Sequence, residues 1–316
     1  MNYIILDLEW NQSPQGKNSE NKKIPFEIVE IGAVKLNASG EIIGQFNKII
    51  KPSVYRELHH IIRDLTGFTM EELNRGIPFN KAVSEFISWC GEDFRFCTWG
   101  SLDILEFQRN MDYYHIPLPK PPIFYYDLQK IFNIVYENGS KATHTLEYAV
   151  DYLKIPISSS FHRALDDAIY TAMVFKQLDR AVIEKYYSID YYQNPKTKQD
   201  EIQVVFDTYS KYVSREFDSK NSAMEDKTVT STICYKCGRR TRKKIRWFSD
   251  NSKIYYCLCN CPEHGLLKGK IRMKKTAGEK YFVVKTMKLT NEAGAAAIKN
   301  RQLEIRNKRR AKRLIT

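Results

Sequence analysis

Tyr3-Ile4-Ile5-Leu6-Asp7-Leu8-Glu9-Trp10 is the segment that decides the fold, because it joins a strand-forming apolar run to two acidic residues. Residues two apart in a β-strand project from the same face. Asp7 and Glu9 should therefore point the same way, with apolar Ile5 and Leu6 anchoring the strand. Two carboxylates this close repel each other unless a cation lies between them. The segment predicts a strand that presents a metal-binding pair of carboxylates.

Two later segments supply further catalytic groups. Trp99-Gly100-Ser101-Leu102-Asp103 gives a third carboxylate, and His162-Arg163-Ala164-Leu165-Asp166-Asp167 gives a histidine and a fourth. Oxygen ligands favour Mg²⁺ or Mn²⁺ over zinc. Two such ions, about 3.5–4 Å apart, can stabilise both the attacking and the leaving oxygen of a phosphoryl displacement. His162 could accept the proton of the attacking water, a role worth about 10²–10⁴-fold in rate.

Each of these pieces also has an ordinary structural explanation. An Asp-x-Glu pair occurs on solvated edge strands, and a histidine before a helix is commonly a surface or capping residue. Asp103 could be a first-turn acid favoured by the helix dipole, with Ser101 as the N-cap. The order, spacing and context of the whole set favour the catalytic interpretation.

This set resembles the DnaQ-like, DEDD-type 3′→5′ exonucleases, in the branch with a catalytic histidine, over about residues 1–180. The family positions match Asp7, Glu9, Asp103, His162 and Asp167. Asp166 is the alternative acid, but its distance from His162 is one residue short of the family's His-x-x-x-x-Asp spacing. In the family, Asp7 would bridge both metals, Glu9 and Asp167 would hold the nucleophile-side metal, and Asp103 would hold the other.

Two more segments resemble the family: residues 65–69 followed by Glu71-Glu72, and residues 97–100 ahead of Asp103. The second resembles especially the branch related to exonucleases that trim histone mRNA and small RNAs. The resemblance implies a ribonuclease-H-like fold, two Mg²⁺ or Mn²⁺ ions and removal of nucleotides from a 3′ end. The aromatic residues in or beside these motifs are candidates for contact with nucleic acid: Trp10, Phe68 and Trp99.

Residue patterns predict an α/β fold, a mixed sheet flanked by helices. The predicted strands are 2–9, 27–36, 43–51 and 94–98. The predicted helices are 79–90, 102–114, 127–136, 145–153 and 164–182.

Length and charge predict more than one domain. The chain has 316 residues and a net charge of +13, but residues 1–219 carry 24 Lys and Arg against 30 Asp and Glu, whereas residues 220–316 carry 26 against 7. The predicted organisation is an exonuclease domain at 1–183, a tyrosine-rich helical extension and linker at 184–230, a small zinc ribbon at 231–290 and a basic tail at 291–316.

Composition also predicts the compartment. No apolar run has the length of a membrane span, and a cleavable leader is not expected because Asp7 and Glu9 lie so near the start. The seven cysteines are unevenly placed, and Cys90 and Cys97 are expected to be buried packing residues. A cytoplasmic location is expected.

The C-terminal third contains a second predicted metal site. Cys234-Tyr235-Lys236-Cys237-Gly238 and Cys261-Pro262-Glu263-His264-Gly265 are matched turns, each with two ligands and a glycine. Two such turns predict one tetrahedral structural zinc held by Cys234, Cys237, Cys261 and His264. Cys257 and Cys259 compete with Cys261 for the third position, and a redox pair or free thiols is the alternative to zinc.

Cations surround these turns. The candidate nucleic-acid contacts are Arg239, Arg240, Arg242, Lys243, Lys244, Arg246 and Trp247, with more cations at Lys268, Lys270, Arg272, Lys274 and Lys275. Aromatic residues beside cations suit single-stranded nucleic acid. The run from Lys299 to Arg313 could be a solvated helix face or a disordered end, but beside a nuclease an electrostatic arm is the better interpretation.

The sequence therefore predicts a metal-dependent 3′→5′ exonuclease, with single-stranded RNA as the favoured substrate. A DNA repair or proofreading exonuclease is the close alternative. A nucleic-acid-binding protein with an inactive nuclease domain is a different class, disfavoured because all five catalytic positions hold competent residues. The ribbon could also bind a protein partner such as the ribosome or a polymerase.

Overall fold

The computed structural model describes residues 1–137, 142–276 and 278–315, with side chains described to residue 311. The last side chains of the predicted basic tail thus lie outside the described residues. The chain divides into two compact units, Met1–Tyr192 and Gln193–Thr316. Within the described part of the chain, no helix is long and apolar enough to cross a bilayer.

The first unit contains a six-stranded mixed sheet and eight α-helices among its described residues. The strands are β1 Asn2–Gln12, β2 Phe26–Leu36, β3 Ile42–Ile49, β4 Phe94–Thr98, β5 Phe124–Asp127 and β6 Ser188–Ile189. The helices are α1 His60–Thr66, α2 Met70–Asn74, α3 Phe79–Cys90, α4 Leu102–Tyr113, α5 Leu128–Tyr136, α6 Leu146–Tyr152, α7 Ala164–Gln177 and α8 Arg180–Lys185. These elements confirm the predicted α/β class.

Strand alternation on β1 decides which helices face the acidic pair. The strand order is β3-β2-β1-β4-β5-β6, with β1 antiparallel to β2 and parallel to β4. Even-numbered Ile4 and Leu6 belong to one core cluster, with side chains of α3 and α4. Odd-numbered Tyr3 and Ile5 belong to the other cluster, with side chains of α5, α6 and α7. Asp7 continues the odd series, which places it on the α7 side of the sheet.

The second unit is built on an antiparallel six-stranded sheet. Its strands are β7 Ile202–Val205, β8 Tyr209–Val213, β9 Arg242–Asn251, β10 Ile254–Cys261, β11 Gly265–Lys275 and β12 Tyr281–Leu289, in the order β7-β8-β12-β11-β10-β9. Its helices are α9 Lys220–Glu225, α10 Lys227–Thr230 and α11 Glu292–Ile315. The sheet is larger than the small ribbon that the sequence predicts.

The prediction of a helical extension after residue 183 is wrong. The helical part of 184–216 ends with α8 at Lys185, and β6, β7 and β8 follow. Residues 202–205 and 209–213 are rich in β-branched and aromatic side chains, which favour a sheet. Val213 pairs with Val284 of β12, so this hairpin completes the second sheet. Contacts between distant strands therefore override the local helical pattern.

The predicted linker and tail are also more ordered than expected. Residues 218–227 contain the whole of α9, whose Ala223 is fully buried in a core cluster with Ile271. The tail forms α11, which buries Ala295 and Ile298 in a cluster with Leu258. The predicted helix at 164–182 is two helices, because Asp179 accepts a hydrogen bond from Ala181 N and begins α8.

Candidate active site

Three carboxylates converge at the end of β1. Asp7 and Glu9 come from β1, and Asp167 comes from the first turn of α7. One ligand atom from each lies within 4.8 Å of the others, the geometry of a possible metal site. Asp166, the alternative acid, is not in this group. The structure thus brings together the strand pair and the acid five residues after His162.

Burial, together with the charges of neighbouring acids, raises the pKa of each member. Burial, followed by the charges of Asp103 and Asp167, raises the pKa of Asp7 well above its ordinary value. Burial and then the charges of Asp167 and Glu30 raise the pKa of Glu9 to about 8. Burial is also the main cause for Asp167, whose pKa rises to about 7. Ionised carboxylates are therefore disfavoured here until a cation neutralises them.

Asp103 is placed by the turn that joins β4 to α4. Gly100 in this turn has φ of 101°, a conformation that glycine adopts without strain. Asp103 follows in the first turn of α4, is buried, and accepts a hydrogen bond from the backbone amide of Leu8. Burial raises its pKa to about 7, with the charges of Asp127 and Asp167 contributing. Asp103 therefore lies beside the β1 pair, although it is outside the three-carboxylate group.

His162 lies just before α7 in a left-handed backbone conformation, with φ of 73°. Such a conformation is uncommon outside glycine and recurs at functional sites. Its backbone N–H donates to Oδ2 of Asp167 at 3.1 Å. Its ring Nε2 lies 3.7 Å from Oε1 of Glu147, and the side chain is 36% exposed. His162 thus contacts the acidic group through its backbone, and its imidazole lies beside Glu147 and within reach of solvent.

Two residues that fix α7 were missed by the sequence analysis: Glu30 and Gly32. Glu30 is fully buried, and its carboxylate accepts from Ala164 N at 3.0 Å and from the Arg163 guanidinium at 3.1 Å. A Cβ on Gly32 would lie 2.1 Å from the carbonyl carbon of Ala164, so only glycine lets α7 approach β2 this closely. The sequence offered one signal for this role, which is that Glu30 is a charged residue within the mostly apolar segment 26–36.

One observation tests whether the acidic group suits a divalent metal. Oδ1 of Asp167 is buried and has no hydrogen-bond partner within the described part of the protein. Buried polar atoms are normally satisfied, and an unpartnered carboxylate oxygen beside two other carboxylates suits a hard cation. The residues therefore fit the divalent metal ions that this class of site holds.

The second unit brings together a different ligand set. Cys234, Cys237, Cys261 and His264 offer atoms that all lie within 4.8 Å of one another. Cys261 Sγ lies 3.6 Å from Cys237 Sγ and 3.8 Å from His264 Nδ1. Tetrahedral ligands about 2.3 Å from a zinc ion would be about 3.8 Å apart. This group could therefore hold a metal.

The turn around Cys261 also favours its thiolate. Burial acts to raise the pKa of Cys261, but hydrogen bonds from the backbone amides of His264 and Glu263 and from the His264 ring outweigh it, and the pKa falls to about 6. A thiolate is the metal-binding form of cysteine. The competing cysteines lie outside the group: Cys259 Sγ approaches the Leu267 carbonyl at 3.6 Å, and Cys257 packs against Gly269.

The four aromatic side chains predicted to contact nucleic acid are buried or half-buried in the structure. Phe68 is fully buried with Val29 and Leu73, so its prediction as a nucleic-acid contact is wrong. Gly67 ends α1 with φ of 70° and the chain then turns Phe68 into the core. The others are half-buried: Trp10 against Phe26, Trp99 with its Nε1 bonded to the His144 carbonyl, and Trp247 with its Nε1 bonded to the Thr230 carbonyl.

All six predicted basic contacts are exposed: Arg239, Arg240, Arg242, Lys243, Lys244 and Arg246. Four of them lie on β9, which is an edge strand of the second sheet. The cations are therefore accessible to a polyanion, but most of them also lie where edge strands ordinarily carry charge.

Comparisons with known proteins support this description of the first unit. The family model RNase_T, described as an exonuclease, matches residues 4–175. ERI1 exoribonuclease 2 of Xenopus laevis is 26% identical over 205 residues, which are 55% of this chain and 28% of that protein. The 3′-5′ exonuclease crn-4 of Caenorhabditis elegans is 24% identical over 189 residues, covering 55% of this chain and 62% of that protein.

A DNA enzyme is also among the relatives. The PolC-type DNA polymerase III of Thermotoga maritima is 28% identical over 152 residues, which are 47% of this chain and 10% of that protein. The chain thus spans only about a quarter of ERI1 exoribonuclease 2 and a tenth of the polymerase.

A solved structure shares the fold. The nuclease domain of 3′hExo, a DEDDh family member bound to rAMP, has a TM-score of 0.51 and 20% identity, and the likeness covers 60% of this chain and 96% of that one. The family match extends over more than half of the chain and includes Asp7, Glu9, Asp103, His162 and Asp167. The protein belongs to the RNase_T exonuclease family.

Proposed function

We propose that this protein is a metal-dependent 3′→5′ exonuclease that hydrolyses single-stranded RNA to 5′-monophosphates. The observation that carries the proposal is the convergence of Asp7, Glu9 and Asp167 within 4.8 Å, with His162 at the edge of the group. Without a bound metal this cluster of acids is electrostatically unfavourable, which argues against an inactive nuclease domain.

The four acids, Asp7, Glu9, Asp103 and Asp167, would hold two Mg²⁺ or Mn²⁺ ions. When bound, such ions neutralise the developing charge of phosphoryl transfer and lower the pKa of a water nucleophile. His162 would accept a proton from the attacking water at its ring nitrogen, since its backbone bonds to Asp167 and its partly exposed imidazole can reach solvent. Glu147, 3.7 Å from that ring, would hold it in place.

RNA is favoured over DNA because the name of one relative, ERI1 exoribonuclease 2, specifies RNA. A DNA substrate is the second candidate, favoured by the likeness to a DNA polymerase. In the second unit, the Cys₃His group would hold one structural zinc, since four protein ligands leave no open position for catalysis. Its exposed cations would contact phosphates.

The test is incubation of purified protein with 5′-end-labelled single-stranded RNA and DNA, with and without Mn²⁺ or Mg²⁺. The expected result is a metal-dependent ladder that shortens from the 3′ end, faster on RNA, with release of 5′-monophosphates. Absence of any hydrolysis with either metal would contradict the proposal. Faster cleavage of DNA would select the second candidate.

A further inference from the structure

The second unit has an unusual charge distribution in the interior of its sheet. The four interior strands, β8, β12, β11 and β10, contain eight Lys or Arg and no Asp or Glu. Five of these cations are on β11 alone. An ordinary solvated sheet face mixes both signs of charge, because like charges on neighbouring strands destabilise a sheet.

Four of the cations form one line, which we call the β11 stripe: Lys268, Lys270, Arg272 and Lys274. The residues between them are buried on the opposite face, including Leu267, Ile271 and Met273. The stripe therefore projects from a single face of the sheet, with successive members about 6.7 Å apart. That repeat is close to the distance between successive phosphates of an extended nucleic-acid strand.

Neighbouring strands add to the same face. Lys268 is directly opposite Lys288 of β12. Lys270 is opposite Tyr256 of β10, and its Nζ lies 5.6 Å from the centre of that ring. Arg301 of α11 approaches the same ring at 4.9 Å. The face thus offers cations at a regular spacing and an aromatic ring among them.

The basic residues of β9 differ because β9 is an edge strand. Exposed charge on an edge blocks pairing with other chains, so Arg242, Lys243, Lys244 and Arg246 have a structural role without any ligand. An interior strand has no free edge to protect. Edge protection therefore does not account for the β11 stripe, whose linear arrangement on one face suits an extended polyanion.

We propose that the β11 stripe is a track for single-stranded RNA, with phosphates on its cations. The inference rests on the proposed function for the choice of RNA, and it assigns substrate affinity to this face of the second unit rather than to the β9 edge. An extended strand fits the linear repeat, because the backbone of a single strand can follow a line of cations while its unpaired bases stay available for other contacts.

The test compares two full-length variants that lose the same charge, both in an Asp7→Asn background that prevents cleavage. One carries Lys268→Gln, Lys270→Gln, Arg272→Gln and Lys274→Gln. The matched control carries Arg242→Gln, Lys243→Gln, Lys244→Gln and Arg246→Gln. Binding of a labelled, unstructured RNA is measured by anisotropy at several salt concentrations, and circular dichroism melting shows that both variants are folded.

The stripe variant should lose at least about tenfold in affinity, and its slope of log affinity against log salt should fall by about 3, because each phosphate contact on a single strand contributes about 0.7. The β9 variant should change the slope by less than about 1. Equal losses in the two variants, or a larger loss from β9, would overturn the proposal. Equal affinity of the parent protein for duplex RNA would overturn the assignment to single strands.

The RNA track and the proposed nuclease function can be refuted independently of each other. Cleavage of a short oligonucleotide by the wild-type protein tests the nuclease assignment and does not depend on the stripe. A protein that cleaves RNA but gives equal losses in the two variants would refute the track alone. A protein that does not cleave but loses RNA affinity only in the stripe variant would refute the nuclease assignment alone.

Discussion

The two units of this chain place their charges in opposite ways. In the first unit, acids from distant segments are brought together and partly buried, so each raises the pKa of its neighbours. In the second unit, cations lie apart along exposed strand positions. The first arrangement is unfavourable unless a compact, highly charged ligand occupies it, whereas the second suits an extended ligand with regular charges. This difference supports our proposals that the first unit carries catalysis and that the second unit binds RNA.

Loss of the metal in the second unit should have the largest effect. Cys261→Ser should release zinc and unfold much of that unit, because structural zinc contributes about 10–16 kcal/mol to small sites. Metal analysis should give about one zinc per wild-type chain and none in the variant. Cys259→Ser is the matched control and should keep the metal. Zinc retained in Cys261→Ser but lost in Cys259→Ser would mean that the ligand assignment is wrong.

Removal of the proposed base should affect only the first unit. His162→Asn is preferable to alanine because asparagine tolerates the left-handed conformation at this position. The expected loss in the rate of RNA hydrolysis is about 10²–10⁴-fold, with affinity for long RNA unchanged. Single-turnover kinetics and anisotropy measure the two quantities. A normal hydrolysis rate would remove His162 from the mechanism.

How the active site is held was only partly predictable from the sequence. Asp7 and Glu9 form a local pattern on one strand, and the spacing from His162 to Asp167 is a local pattern at the start of a helix. Both could therefore be recognised from the sequence. Glu30 was not recognised, because its role depends on the pairing of β2 with β1 and on the approach of α7. The hairpin of β7 and β8 was misassigned for the same reason: its partner β12 is about 70 residues away in the chain.

Glu30 of β2 bonds to the start of α7, so a substitution there tests how Asp167 is held beside Asp7 and Glu9. Glu30→Gln should weaken the bonds to Arg163 and misplace the start of α7, with a loss of about 1–3 kcal/mol in the free energy of unfolding and a reduced hydrolysis rate. Glu72→Gln removes the other, half-exposed partner of Arg163, 3.7 Å away, and should cost less than about 1 kcal/mol. Chemical denaturation measures both. Equal effects would show that Glu30 has no special role.

The smallest expected effect is a pH dependence confined to the acidic unit. The pKa of Glu9 is raised to about 8 and those of Asp103 and Asp167 to about 7, mainly by burial. The native state therefore holds more protons than the unfolded state, and stability present at low pH is lost as pH rises through 7–8. Metal-free protein should melt at a lower temperature at pH 8.5 than at pH 5.5, and Mn²⁺ should reduce the difference. A melting temperature that rises with pH would contradict the pKa directions.

The most direct test of the account compares two neighbouring acids on α7. Asp167 belongs to the three-carboxylate group, whereas Asp166 is adjacent in sequence but outside it. Wild-type protein, Asp167→Asn and Asp166→Asn are incubated with 5′-labelled single-stranded RNA and Mn²⁺ under single-turnover conditions. We predict that Asp167→Asn loses at least about 10²-fold in rate, while Asp166→Asn stays within a few-fold of wild type. Near-normal hydrolysis by Asp167→Asn, or loss of activity only in Asp166→Asn, would contradict it.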